Sequence, residues 1–453
     1  MSHASAHAES GADERPPESG ASRRVASHWA QTWSLPVVTW AVAMASGSAW
    51  TLWAFSKGEE IRHFRGFTDF FWAVISAASE VGHGGLTHMY AGDGSVLVAL
   101  PGFQLVLVAV TRVVTLLGLS APAEGLARVE GTRQVADYIA GTGWLVIVPI
   151  AYAAAFAAIF PLDALGRRCG ISGLRRMVLM MIIATALWWA TVTWGHPEDG
   201  AAIALLAWAA LGAIDGRWKS AGWLLGLGVA VQSLALLGAP ILFLLAGIRR
   251  WPRMAVRVAV PSILAIAIPL VGDPHDTLRQ VLEQPTYPLN KSAHLTPWIG
   301  VVPRPIPGVV YAGWPRTLAV ILAVVVAILA MRRWGRASSF TPVTITWILG
   351  VSLSLRCVFE SVLFPYYIVP PIAFLILAAF ARQRWRAMAA LAFAAGLGLL
   401  TRGHFGEWSF WALMVLGLGL LAALGFPAPA PNALTENGAA APGVASADQL
   451  EPP

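Results

Sequence analysis

Lys57–Tyr90, KGEEIRHFRGFTDFFWAVISAASEVGHGGLTHMY, lies between two long apolar runs, so it is tethered at both ends to a membrane. It is the most heavily functionalised interval of a chain that is only 12% charged. Glu59, Glu60, Asp69 and Glu80 share it with Lys57, Arg62 and Arg65 and with His63, His83 and His88. From Asp69 onward, Asp69, Ser76, Glu80 and His83 keep helical spacing, while Phe70, Val74, Ala77 and Val81 take another face. That pattern predicts an amphipathic helix lying along the bilayer surface with Asp69 at its start. A plain interfacial linker with solvated charges is the alternative reading.

Working outward, the composition agrees with a membrane setting. The chain has 453 residues, 57% of them hydrophobic, and 21 tryptophans; its mean hydropathy is +0.64. A soluble domain would hold roughly twice the charge. The net charge of +7 is modest and is assigned to cytoplasmic loop arginines, not to nucleic-acid binding. Cys169 and Cys357 are the only cysteines, and nothing in their placement requires a disulfide or gives a metal-type Cys/His spacing. Residues 1–33 are expected to form a polar, disordered cytoplasmic tail that is not a cleaved signal peptide. Residues 427–453, rich in Ala and Pro, are expected to be a second disordered tail.

A spanning helix needs about 20 apolar residues. Segments that qualify lie near 34–55, 97–119, 140–162, 178–194, 201–214, 258–272, 316–331, 341–358, 367–381, 387–401 and 408–426. The stretch 222–248 is too long for one pass, and Gly238 and Pro240 interrupt it, which predicts two short or broken helices. Domain 34–426 is therefore read as an all-α polytopic transmembrane bundle of about 11–13 spans. Basic clusters at Arg23/Arg24, Arg167/Arg168/Arg175/Arg176, Arg217/Lys219, Arg249/Arg250/Arg253, Arg332/Arg333/Arg336 and Arg382/Arg384/Arg386 mark the cytoplasmic side. The first loop, 56–96, and the long loop, 273–315, then fall outside. With 97–119 counted as a pass, however, the basic loop 163–177 lands on the wrong side. Either a further crossing hides within 97–165 or that loop breaks the rule.

Three more clusters share the outer face. TWGHPEDG, Thr193 to Gly200, is a tight turn carrying His196, Glu198 and Asp199 between two apolar helices. Charges there mark a site, unless the turn is merely solvated with Asp199 as a helix N-cap. The long loop carries His275, Asp276, Arg279, Lys291 and His294. In SLRCVFESVLFPYYIVPP, Arg356 and Glu360 stand four residues apart on one helical face, followed by Tyr366 and Tyr367. They form either an internal ion pair or a site in which Arg356 holds a lipid phosphate by paired hydrogen bonds. His196, Glu198 and Asp199 could also ligate a divalent cation. No Walker motif, dinucleotide fingerprint, HExxH or GxSxG occurs, so nucleotide hydrolysis, hydride transfer and zinc proteolysis have no support.

FTDFFWAVISAASEVGHGGLTHMY after the first span, ALPGF at Ala99–Phe103, the run from Gly195 to Leu245 and FPYYIVPP at Phe364–Pro371 together resemble the GT-C superfamily of membrane glycosyltransferases. The resemblance is to its actinobacterial polyprenyl-phosphate-mannose-dependent type and covers roughly residues 34–380. The chain departs from that type in reading ALPGF for a Tyr-Pro-Pro, Gly195-His196 for a Gly-Gln, and Gln232 for a lysine in the broken helix. What the resemblance implies is a GT-C fold with Asp69, the acid after the first span, as catalytic base. The donor implied is a polyprenyl-phosphate-linked sugar, with mannose expected, and the acceptor a membrane lipid or envelope glycan.

An acceptor hydroxyl must lose a proton as it attacks, and a carboxylate can take it. The departing phosphate gains charge that cations stabilise. On this reading His196, Glu198, Asp199 and Glu80 bind acceptor or donor sugar, while Arg356, Lys291, His294 and Arg65 bind the donor phosphate. The site would lie on the extracytoplasmic face of a multi-pass cell-membrane protein. The alternatives are a secondary transporter or lipid-linked-sugar flippase, for which the broken 222–248 region is the best feature, and a structural membrane scaffold.

Overall fold

A computed structural model describes residues 20–56, 73–74, 77–78, 86–90, 100–120, 142–284, 293–304, 310–311, 313–335, 339–403 and 405–427. Asp69, Glu80, Arg65 and Lys291 lie outside the described residues, as does most of the expected surface helix of the first loop. The fold is an all-α helix bundle; among the described residues eight helical stretches, including Trp144–Arg168 and Gly173–Thr193, which run through a helix break, are long and apolar enough to cross a membrane. It is a multi-pass membrane protein.

The helices are α1 Gly20–Ser56, α2 Pro101–Leu116, α3 Trp144–Phe156, α4 Ile159–Arg168, α5 Gly173–Trp188, α6 Pro197–Ile214 and α7 Trp218–Val231. They continue as α8 Ala239–Ala246, α9 Trp251–Gly272, α10 Trp314–Trp334, α11 Pro342–Phe359, α12 Val369–Phe380, α13 Arg384–Leu400 and α14 Glu407–Gly425. Helix α1 begins at Gly20, earlier than the expected start of the first span, because a helix anchored in a membrane propagates cheaply into polar sequence. The alanine-rich α6 is the axis of the bundle, with 78% of it buried. Small residues let backbones close on it. A Cβ at Gly200 would meet the Ala155 carbonyl oxygen at 2.6 Å, and one at Gly226 would meet the Arg257 carbonyl oxygen at 2.6 Å.

The basic loops do gather at one end. Buried Asp163 pairs with Arg167 and, at 3.1 Å, with Arg176. Asp215 holds both Arg168 (2.7 Å) and Arg217 (2.8 Å). Arg175 donates to the carbonyls of Phe380 and Arg382, and Arg250 lies over Trp218. The start of the first span belongs here too, since Arg167 lies 5.4 Å above the Trp33 ring.

That end fixes the direction of each helix, and with it the crossing left open by the sequence. Helix α1 runs antiparallel to the α3–α4 stretch: Trp40 packs on Phe160 (5.9 Å between ring centres), and Thr51, further along α1, reaches the hydroxyl of the earlier Tyr152 (2.7 Å). Ser56 and Trp144 therefore lie at the end opposite the arginines. Helix α2 stays in that half. Its Gly102 abuts Ala230, at the depth of Gly200 and Ala155, while Val114 and Ser120 abut Gly143. The 97–119 segment is thus not a pass, and no hidden crossing is needed. Hydropathy reads the length of a segment and not its depth, which is why 97–119 looked like a span. With α2 removed, the loop at 163–177 joins the other basic loops.

The 222–248 region is broken, but not where expected. The chain turns at Gln232, whose backbone is extended (φ −153°, ψ 128°). A 3-10 turn, Ser233–Gly238, and α8 then return it to the basic end. Pro240 sits in the first turn of α8, where a missing N–H costs nothing.

These directions predict a labelling pattern. In a membrane-embedded preparation, a thiol reagent that cannot cross the bilayer should label Leu117→Cys from the same side as Glu407→Cys and Ser220→Cys only from the other. Labelling of Leu117→Cys together with Ser220→Cys would make α2 a pass.

Candidate functional site

The end away from the arginine loops collects buried polar groups. Its first element is the turn from α5 into α6. Helix α5 widens into a π-turn, Trp189–Thr193, and Gly195 takes a left-handed conformation (φ 70°), which reverses the chain within a few residues. Pro197 then starts α6, with His196 at the cap position and Glu198 and Asp199 in the first turn, where the helix dipole favours negative charge. Asp199 is neither solvated nor an N-cap: it is 1% exposed. Its Oδ1 accepts a hydrogen bond from Gln232 Nε2 (3.1 Å), whereas its Oδ2 is buried without a hydrogen-bond partner among the described residues. His196 Nδ1 lies 2.6 Å from Glu198 Oε1, and the His196 ring stacks on Tyr366 at 3.8 Å.

The second element is the end of α11 and the segment beyond it. An internal pair of Glu360 with Arg356 is one of the two readings of their spacing. Their closest approach, 3.9 Å from Nε to Oε2, is instead the weaker contact of Glu360. Arg316, in the first turn of α10, takes the carboxylate with both Nη2 and Nε, the latter at 3.2 Å, and passes Nη1 to Gln284. This leaves Arg356 for other use. Its guanidinium carbon lies 3.8 Å above the Tyr367 ring, and its Nη1 is buried without a hydrogen-bond partner among the described residues. Arg356 is also close enough to Asp199 for the two charges to interact.

Aromatic rings close the gap between the two elements. Tyr366 stands edge-on to Tyr367 (4.8 Å) and lies 5.9 Å from Trp194. The Trp194 indole N–H is likewise buried without an acceptor among the described residues. Three unmet polar atoms, an acceptor on Asp199 and donors on Arg356 and Trp194, thus belong to one contiguous cluster. Since a buried polar atom without a partner costs about 1–3 kcal/mol, such a set is suited to a polar ligand that supplies the missing bonds.

The long loop folds over the same end. His294 and Leu295 pair as strand β1 (His294–Leu295) with strand β2 (Val362–Leu363), and Thr296 Oγ1 donates to the Glu360 carbonyl at 2.6 Å. His294 itself is occupied elsewhere. Its Nε2 lies 2.7 Å from the Thr401 carbonyl and its ring stacks on Phe410, so its described partners belong to the α13–α14 hairpin.

The structure therefore brings together His196, Glu198, Asp199 and Arg356, and does not join His294 to them. Gln232, Arg316, Trp194 and Tyr366 complete the cluster and were not assigned from sequence. The Gln232 position had a signal, since it is where a lysine is expected by resemblance. Arg316 gave none, being 44 residues from Glu360. Among the described residues no three His, Cys, Asp or Glu side chains are placed to hold a metal ion. Comparison of the sequence with protein-family models and with curated proteins gives no match.

The reassigned ion pair can be tested by double-mutant cycles on thermal unfolding. Arg316→Ala with Glu360→Gln should show a coupling of about 2 kcal/mol or more, and Arg356→Ala with Glu360→Gln about 1 kcal/mol or less. The reverse order would restore the Arg356–Glu360 pair as the structural one.

Proposed function

We propose that the chain is an integral-membrane glycosyltransferase that moves a sugar, mannose being favoured, from a polyprenyl-phosphate donor to a lipid or glycan acceptor on the extracytoplasmic face. The observation that carries this reading is the placement, at one end of the bundle, of a guanidinium and a buried carboxylate that each keep one buried atom without a hydrogen-bond partner among the described residues. A sugar phosphate offers both chemistries, anionic oxygens for Arg356 and hydroxyl donors for Asp199. Trp194 and Tyr366 supply apolar ring surface beside them. The end carrying the arginine loops would face the cytoplasm by the positive-inside rule, which puts this cluster outside.

In the proposed reaction Asp69 takes the proton of the acceptor hydroxyl as its oxygen attacks the anomeric carbon. The anomeric C–O bond to phosphate breaks, and the polyprenyl phosphate leaves with an added negative charge that Arg356 stabilises. Helix α1, which precedes Asp69 in sequence, ends at the same end of the bundle as Arg356. A flippase or transporter is the competing reading, favoured by the break at Gln232. The use of Gln232 to hold Asp199 supports a fixed site in preference to a moving gate.

Two outcomes follow for purified protein supplied with polyprenyl-phosphate mannose and candidate acceptors. Asp69→Asn should leave folding and donor binding intact and lower turnover roughly a hundredfold or more; near-normal turnover would remove Asp69 as base and make Glu80 the next residue to test. Arg356→Ala should weaken binding of the donor more than that of the acceptor, with Arg356→Lys intermediate because it keeps the charge but loses the planar fork. Unchanged donor affinity in folded Arg356→Ala would leave this arginine a packing role alone. A transporter would move substrate in either assay without forming a glycosidic product.

A further inference from the structure

A second site lies at the opposite end of the bundle. A cavity of about 870 Å³ opens there at the first turn of α7 and the turn preceding α9. Arg217, Lys219 and Arg250 line it with Trp218 and Trp223, and no acid is among its lining residues. Arg217 is committed to Asp215. Lys219 and Arg250 have no acidic partner among the described residues. Arg250 is nonetheless held in place, with its guanidinium carbon 5.7 Å from the centre of the Trp218 ring and its Nη1 donating to the Ala246 carbonyl at 3.2 Å.

Loop charge alone would satisfy the orientation rule for membrane proteins, and it would need neither a concavity nor aromatic walls. Here two unpaired cations and two indoles line one hollow at the end of transmembrane helices. Trp223 and Trp251 are each 37% exposed beside it, the position expected of aromatic side chains at headgroup depth.

We infer that this cavity binds the headgroup of an anionic phospholipid. The phosphodiester lies against Arg250 and Lys219, and the glycerol and first acyl carbons lie against Trp218 and Trp223. A choline headgroup carries its own cation and gains little from the two side chains. Each basic residue near the bilayer surface contributes about fivefold to the affinity for an anionic lipid, so the pair contributes about thirtyfold.

The test uses the full chain purified in neutral detergent, with bound lipid counted by native mass spectrometry during titration with phosphatidylglycerol or phosphatidylcholine. Wild-type protein should retain phosphatidylglycerol over phosphatidylcholine. The Lys219→Ala/Arg250→Ala variant should bind it about thirtyfold more weakly at the tightest site. The charge-preserving Lys219→Arg/Arg250→Lys variant should stay close to wild type. Both positions are exposed, and the double alanine variant loses only the Arg250–Trp218 stacking and the Arg250–Ala246 hydrogen bond, so without lipid all three proteins should unfold cooperatively within a few degrees of one another. Equal retention of the two lipids, or phosphatidylglycerol binding untouched by the double alanine variant, would overturn the proposal. So would displacement of the lipid by low-millimolar inorganic phosphate, which would make this a site for free phosphate.

Discussion

Glu360 is 3% exposed at the end of a transmembrane helix, and a carboxylate so placed must be answered by a cation. Arg316 answers it, and much of the arrangement at this end of the bundle follows from that choice. Because Arg316 opens α10, the pairing sets the start of α10 against the end of α11. Because the same guanidinium reaches Gln284, it also draws in the π-turn Arg279–Glu283 of the long loop, at whose end Gln284 takes the only left-handed conformation of a non-glycine among the described residues. And because Glu360 is satisfied by Arg316, Arg356 remains available beside Tyr367 and Asp199.

A parallel economy operates on the facing helices. Asp199 is carried on α6, the most enclosed of the long helices, and its described hydrogen bond comes from Gln232, the residue at which the α7 hairpin turns. The chain reversal and the buried carboxylate thus solve one another's problem. An extended residue interrupts the helix, and its side chain supplies the donor that a carboxylate in an apolar bundle requires. Glycines at the contacts bring α6 close to α3 and α7 close to α9, and so keep these groups at a common depth.

Much of this was legible in the sequence, and the remainder fails for physical reasons. Apolar length located the membrane helices because the bilayer imposes it. The HPED turn stood out because two acids between apolar runs are costly. Polarity could not say whether they were solvated, and burial shows that Asp199 is not. The Arg356–Glu360 spacing suggested an intrahelical pair, yet Glu360 lies just past the last turn of α11, in extended conformation, and turns its carboxylate to Arg316. Partners so distant in sequence leave no periodic trace. Segment 97–119 has the composition of a span, and only its neighbours Ala230 and Gly143 reveal that it stays in one half of the bundle.

The carbonyl of Val358, near the end of α11, receives two indole N–H groups, from Trp298 of the long loop at 2.7 Å and from Trp411 of α14 at 2.8 Å. Carbonyls in the last turn of a helix have no intrahelical donor, so both tryptophans converge on an acceptor the helix cannot use. The loop and α14 are thereby fastened to a single atom. A displacement of the loop would have to release the Trp298 bond or carry α11 and α14 along with it. A movement of the loop that keeps the Trp298 bond is therefore a concerted shift of two helices and a loop.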